Sequence, residues 1–173
     1  MTQNEEVPSS ISLYLGLVEK INAFEKALFE KYGEHISCGK GCSECCVLES
    51  VFPVEAFMMR RAFTDLAPES RSAVRNNSGN SRGQCIFLSG GNCAIYGSRP
   101  VICRTHGYPV AMEGEVDFCV KNFRGLAAID GDSILDLELL NTMLAAINLR
   151  FLNENDDDFF RRDRVPLAGI LQD

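Results

Sequence analysis

The chain has 173 residues, 46% hydrophobic and 24% charged, with a net charge of −7. That is the make-up of one globular domain with a core of its own, and the acidic balance excludes a general nucleic-acid or anionic-membrane surface. No apolar run nears the roughly 18 residues of a membrane span. Met1–Glu6 has neither the basic start nor the apolar stretch of a secretory signal, so the chain is expected in the cytoplasm with its thiols reduced.

Residues 9–32 repeat apolar side chains at helical spacing: Ile11, Leu15, Val18, Ile21, Leu28 and Tyr32, with Leu17 and Phe24 beside them. Glu19, Lys20, Glu25 and Lys26 fall between. This predicts an amphipathic helix of about six turns, entered through Pro8-Ser9-Ser10 and stopped at Gly33. Its Phe-bearing face reads as core.

Cys38, Cys42, Cys45 and Cys46 follow, half of the chain's eight cysteines within nine residues. Gly39 and Gly41 alternate with them. Glycine allows the tight turns that aim several sulfurs at one centre and lets backbone N–H groups approach thiolate. Pro53 opens a second helix, with Val54, Phe57, Met58 and Phe63 on its apolar side and Arg60 and Arg61 outside. Pro68-Glu69 opens a third that runs to about Val74. Asn76–Ser81 is a polar loop; the Asn-x-Ser sequon at Asn76 has no meaning in a cytoplasmic chain.

The second cysteine group is Cys85, Cys93, Cys103 and Cys119. Cys85-Ile86-Phe87-Leu88, Gly90-Gly91-Asn92 and Cys93-Ala94-Ile95-Tyr96 predict a small hairpin with a cysteine on each arm. Ser98-Arg99-Pro100 predicts a helix start with Cys103 one turn in. Residues 107–118 read as irregular. Ser133-Ile134-Leu135-Asp136 fits a capping box. It opens the last long helix, whose face is Ile134, Leu137, Leu140, Leu144, Ile147 and Phe151 and which can pack on the first. Asp156–Asp158 reads as a solvated turn, and Phe159-Phe160 as a point where the tail docks on the body. The fold class expected is mainly α. A single domain spanning 1–173 holds a few helices, a small hairpin and an irregular cysteine core from Cys38 to Cys119.

Clustered cysteines in a reducing compartment point to metal rather than disulfides, and adjacent Cys45-Cys46 do not readily bridge each other. Thiolate is a soft ligand for zinc, copper(I) and iron–sulfur clusters. Four thiolates complete a zinc site or a cluster, so eight supply two centres, or one centre and a redox pair. Neighbouring side chains diverge in strand and helix alike. Cys45 and Cys46 therefore do not serve one ion in the same manner: one ligates while the other packs nearby, or they serve two centres. Cys38-x3-Cys42-x2-Cys45 has the spacing of the cluster loop of radical S-adenosylmethionine enzymes. The chain lacks their strand–helix repeats, and Glu44 stands where they carry an aromatic, so that reading is rejected. Thiol–disulfide exchange at Cys42 and Cys45 likewise lacks its structural context.

His35 and His106 lie three residues from Cys38 and Cys103. They read more simply as polar neighbours than as ligands. Arg99 and Arg104 read either as ordinary paired arginines or as cations that offset a thiolate centre, the cofactor-binding role assigned to them here. Tyr96 reads as core-facing.

The pattern C-x3-C-x2-C-C, then Cys85-x-Phe87-Leu88, then Cys93-Ala94-Ile95-Tyr96-x-x-Arg99-Pro100-x-x-Cys103-Arg104, resembles the bacterial cysteine-cluster family described as chelating zinc or iron. The resemblance runs from Cys38 to Cys119 and is most specific around Arg99-Pro100 and Cys103-Arg104. A related cysteine domain of flagellin lysine N-methylases is associated with an iron–sulfur cluster. The resemblance thus implies such a cluster (4Fe–4S), and with it electron transfer or oxidoreductase chemistry with an unknown protein partner. No methyl-donor site accompanies it, so methylase activity is not carried over. The alternative is a structural or metal-handling zinc protein without turnover. No Ser-His-Asp set, phosphate loop or carboxylate pair adds another enzymatic function.

Overall fold

The computed structural model describes residues 8–39, 41–77 and 83–172. The acidic start Met1–Glu6 and the Ser78–Ser81 portion of the polar loop, with the serine of the sequon, lie outside them. The helices are α1 (Ser9–Tyr32), α2 (Pro53–Thr64), α3 (Pro68–Asn77), α4 (Val101–Thr105), α5 (Leu137–Glu154) and α6 (Leu167–Ile170). The strands are short: β1 (Ser50–Val51), β2 (Leu88–Ser89), β3 (Asn92–Cys93), β4 (Val110–Met112), β5 (Glu115–Asp117), β6 (Leu135–Asp136) and β7 (Val165–Pro166). The fold is mainly α. Among the described residues no helix is long and apolar enough to cross a membrane.

α1 packs on α5, and α5 on α2. α1 buries Ile11, Tyr14, Leu17, Val18, Ile21 and Leu28. Leu15, expected on that face, is 41% exposed. The buried stripe keeps Ile11, Val18, Ile21 and Leu28 and takes in Tyr14 and Leu17 in place of Leu15. In α2 the buried residues are Val54, Ala56, Met59 and Phe63, with Phe57 and Met58 at the edge of the core.

Two buried polar side chains tie elements together. Asn148 of α5 accepts the Val54 N–H at 3.1 Å and so caps the start of α2. Glu55 reaches back to the Phe52 N–H at 3.1 Å and accepts the Val101 N–H at 2.8 Å. One carboxylate thereby satisfies the first turns of both α2 and α4. Burial raises its pKa, against the pull of these two hydrogen bonds.

The tail docks on α2. Phe160 packs against Phe57 and Phe151 at 5.8 and 5.7 Å between ring centroids, and the Arg60 guanidinium lies 3.7 Å from the Phe159 ring. β7 pairs antiparallel with β1, next to the first cysteine segment.

Two expectations are corrected. Residues 107–118 are not irregular: β4 and β5 form a hairpin with Met112 opposite Glu115. Its two turn residues, Glu113 and Gly114, have φ of 52° and 81°, the positive pair that a two-residue hairpin loop needs. The last helix begins at Leu137, not Ser133. Leu135–Asp136 is drawn out as β6, parallel to β4, and Asp136 caps α5 by accepting the Leu139 N–H. Ile134 therefore lies outside the helix whose face it was expected to share.

Candidate metal centre

The first cysteine segment is built from consecutive turns. Cys42 N–H donates to Gly39 O at 3.0 Å, Cys46 N–H to Ser43 O at 3.0 Å, and Val47 N–H to Cys45 O at 2.9 Å. Gly41 supplies the left-handed residue, φ 96°. The chain reverses tightly at Cys46. Cys46 O then accepts the Cys85 N–H at 2.7 Å, which ties the two cysteine groups together.

In the second group β2 and β3 pair with Leu88 opposite Cys93, around Gly90 and Gly91 at φ 56° and 78°. The hairpin is shorter than expected. Cys93 is in a strand, but Cys85 sits in a turn closed by Leu88 N–H to Cys85 O at 3.0 Å. The Phe87 N–H donates to the Cys85 sulfur and the Ile95 N–H to the Cys93 sulfur. Both amides favour thiolate. Cys103 lies in α4, which ends at Thr105 with His106 extended. His106 is thus not carried on a continued helix, although it borders the same cleft.

Arg99 and Arg104 occupy different positions. Arg99 donates Nη1 to Cys103 O at 3.3 Å, its guanidinium lies 3.7 Å from the Tyr96 ring, and it acts on Cys46, Cys93 and Cys103 by favouring their charged forms. Tyr96, expected in the core, is 52% exposed, with Arg99 stacked on its ring. Arg104 is buried. It donates to Arg99 O at 2.8 Å, to Asn22 Oδ1 at 3.0 Å and to Gly97 O, so it braces the loop before α4 against α1.

Cys38 and Cys119 meet through Asn122 and Gly107. Asn122 is 1% exposed and uses its whole amide. Oδ1 accepts the Ser37 and Cys38 N–H groups at 2.9 and 3.2 Å, and Nδ2 donates to Gly107 O at 2.7 Å and to Cys38 Sγ at 3.3 Å. Gly107 has φ 91°, and a Cβ there would stand 3.0 Å from Cys38 Sγ and 3.4 Å from the Cys119 Cβ. Asn122 was not singled out in the sequence, where one more Asn in a polar stretch carries no mark. His35 contributes its carbonyl, which accepts the Phe123 N–H at 2.7 Å.

The result is one cleft of about 960 Å3, bordered by Cys38, Cys42, Cys45, Cys46, Cys85, Cys93 and Cys103 together with Arg99 and Arg104. Cys119 stands beside it, next to Cys38. All eight thiols are free. Among the described residues no three Cys, His, Asp or Glu side chains are gathered to hold one ion, so the sulfurs surround the space as an open set. Burial is the first cause that raises Cys38, Cys45, Cys46, Cys85 and Cys93, and it pushes Cys103 up to about 12. Mutual repulsion adds to burial at Cys38, Cys45, Cys46, Cys85 and Cys103. Soft donors, N–H groups aimed at sulfur, a cation and a glycine cradle fit a thiolate-bound metal or cluster.

Residues 37–120 match the family model CxxCxxCC, whose description is "Putative zinc- or iron-chelating domain". No curated protein and no solved structure matches the chain.

Proposed function

From the match of residues 37–120 to a family model described as a "Putative zinc- or iron-chelating domain", we propose that the chain holds an iron–sulfur cluster and passes electrons to or from a protein partner. One observation carries this reading: seven cysteines line a single cleft of about 960 Å3, more room than one ion needs. The cysteines would supply the ligands, and a bound cluster would supply one-electron chemistry. The protein's own contribution is electrostatic. The amides of Phe87 and Ile95, the Asn122 side chain and Arg99 each favour thiolate. Phe87 and Ile95 are buried and give the cleft an apolar wall. Exposed Val47, Tyr96 and Ile102 edge the cleft and offer a partner an apolar rim. Anaerobic purification with absorption spectra and iron and sulfide analysis tests it. Iron with matching sulfide is expected; a colourless protein with stoichiometric zinc overturns it.

A second reading is a structural zinc site without turnover. It is favoured by the Cys46–Cys85 backbone bond and the paired N–H-to-sulfur turns at Cys85 and Cys93, which make the cysteine segments a frame that a closed-shell ion would lock. Chelation should then lower the melting temperature and the helical circular dichroism. An unchanged melt after complete metal removal excludes it.

A further inference from the structure

We propose that the eight thiols divide into two four-sulfur sites, Cys38/Cys42/Cys45/Cys119 and Cys46/Cys85/Cys93/Cys103, so that each chain takes two metal centres. This rests on the metal-binding reading above and goes beyond it in number and in ligand set.

Four observations carry the division. The turn at Cys46 sends the two backbone carbonyls apart, Cys45 O to the Val47 N–H and Cys46 O to the Cys85 N–H, while the two side chains stay in contact where the sets meet. The first side is closed by Asn122 and Gly107, which bring Cys38 Sγ and the Cys119 Cβ to 3.0 and 3.4 Å of one point. The second is closed by the β2–β3 turn, which places Cys85 and Cys93 on either side of Phe87, and by Glu55, which fixes the start of the helix bearing Cys103.

Away from Cys45–Cys46 the electrostatic neighbours divide in the same way. Cys38 has Cys119, Cys42 and Cys45; Cys103 has Cys85, Cys93 and Cys46. Cys42 and Cys45 also act on Cys46, and Cys45 hydrogen-bonds to it, so the two sets share a wall at Cys45–Cys46. Each set has its own cation. Lys121, paired with Glu44, stands near Cys42 and Cys119, whereas Arg99 stands near Cys46, Cys93 and Cys103. Four thiolates on a divalent ion or cluster carry net negative charge, and one cation beside each set offsets part of it. One run of cysteines serving two centres is a known arrangement in two-cluster ferredoxins.

The test loads the metal-free full chain with zinc in one arm and, anaerobically, with iron and sulfide in the other. Centres are counted by native mass spectrometry and elemental analysis. The variants are C38A/C119A and C85A/C93A, and the loaded proteins are alkylated to map protected thiols. The wild type is expected to saturate at two centres, and each double variant at one. In C38A/C119A, Cys42 and Cys45 should be alkylated while Cys46, Cys85, Cys93 and Cys103 stay protected. Wild type that saturates at one centre overturns the division and leaves the metal-binding reading intact. So does wild type at two centres with C38A/C119A protecting a mixed set of thiols. That variant keeps the test decisive if C85A/C93A does not fold. Failure of the wild type to load in either arm removes the metal-binding reading, and this inference with it.

Discussion

The two ends of the cysteine cleft are held in different ways. At one end Cys85 and Cys93 pack on the main hydrophobic core, and the neighbouring Phe87, Ile95 and Val101 lie inside it. At the other, Cys38 and Cys119 rest beside a small cluster of Leu28, Tyr108 and Phe123. There the geometry comes chiefly from one buried amide, Asn122, and one glycine, Gly107. The first end forms wherever the helices pack, because its sulfurs are carried on core residues. The second depends on hydrogen bonds that a single substitution removes. The two ends should therefore fail separately.

Asn122→Ala should break that comparison most. It leaves the Ser37 and Cys38 N–H groups and Gly107 O without their partner, at a cost of about 3 kcal/mol. Calorimetry reads the loss. Alkylation should accelerate at Cys38 and Cys119 while Cys93 keeps its wild-type rate; equal acceleration at all three would show that the ends are not separable. Glu55→Ala is the matching blow at the other end. It strands the Phe52 and Val101 N–H groups and should cost about 2 kcal/mol, with faster alkylation at Cys103 rather than Cys38. Gly107→Ala should cost about 1–2 kcal/mol, through a strained φ and a Cβ pressed on Cys38 Sγ. Its effect should be confined to the Asn122 end, as read by urea unfolding and by the same alkylation map.

The smallest effect is a pH slope. Burial holds the Glu55 pKa above its unfolded value, so the folded chain binds that proton more tightly. The resulting stability is complete below the unfolded pKa and is lost as pH rises through the folded one. Urea unfolding of metal-free protein from about pH 4 to about pH 7 should show a decline that is shallower in Glu55→Gln. An identical decline in the two proteins would mean that Glu55 enters the fold already charged.

The comparison also explains what the sequence disclosed. α1, α2 and the body of α5 are long periodic segments, and Pro53, Pro68 and the Gly90-Gly91 turn are local signals, so each stands where its own residues put it. The β4–β5 hairpin was hidden because its β5 strand, Glu115–Asp117, is wholly exposed and lacks an apolar alternation, while Glu113 takes a positive φ that sequence does not mark. The start of α5 was misplaced because β4, from elsewhere in the chain, claims Leu135–Asp136. At the site, the cysteines and the Arg99-Pro100 block were legible as residue types. Asn122 was not, because its role comes only from contacts distant in sequence.

That distance has a consequence for assembly. Asn122 lies 84 residues beyond Cys38. While the chain is being synthesised, the Cys38–Cys46 segment emerges as a row of unsheltered thiols well before its clasp exists. This end of the cleft takes shape only after Asn122 has left the ribosome. Until then the row is open to whatever soft metal or oxidant reaches it.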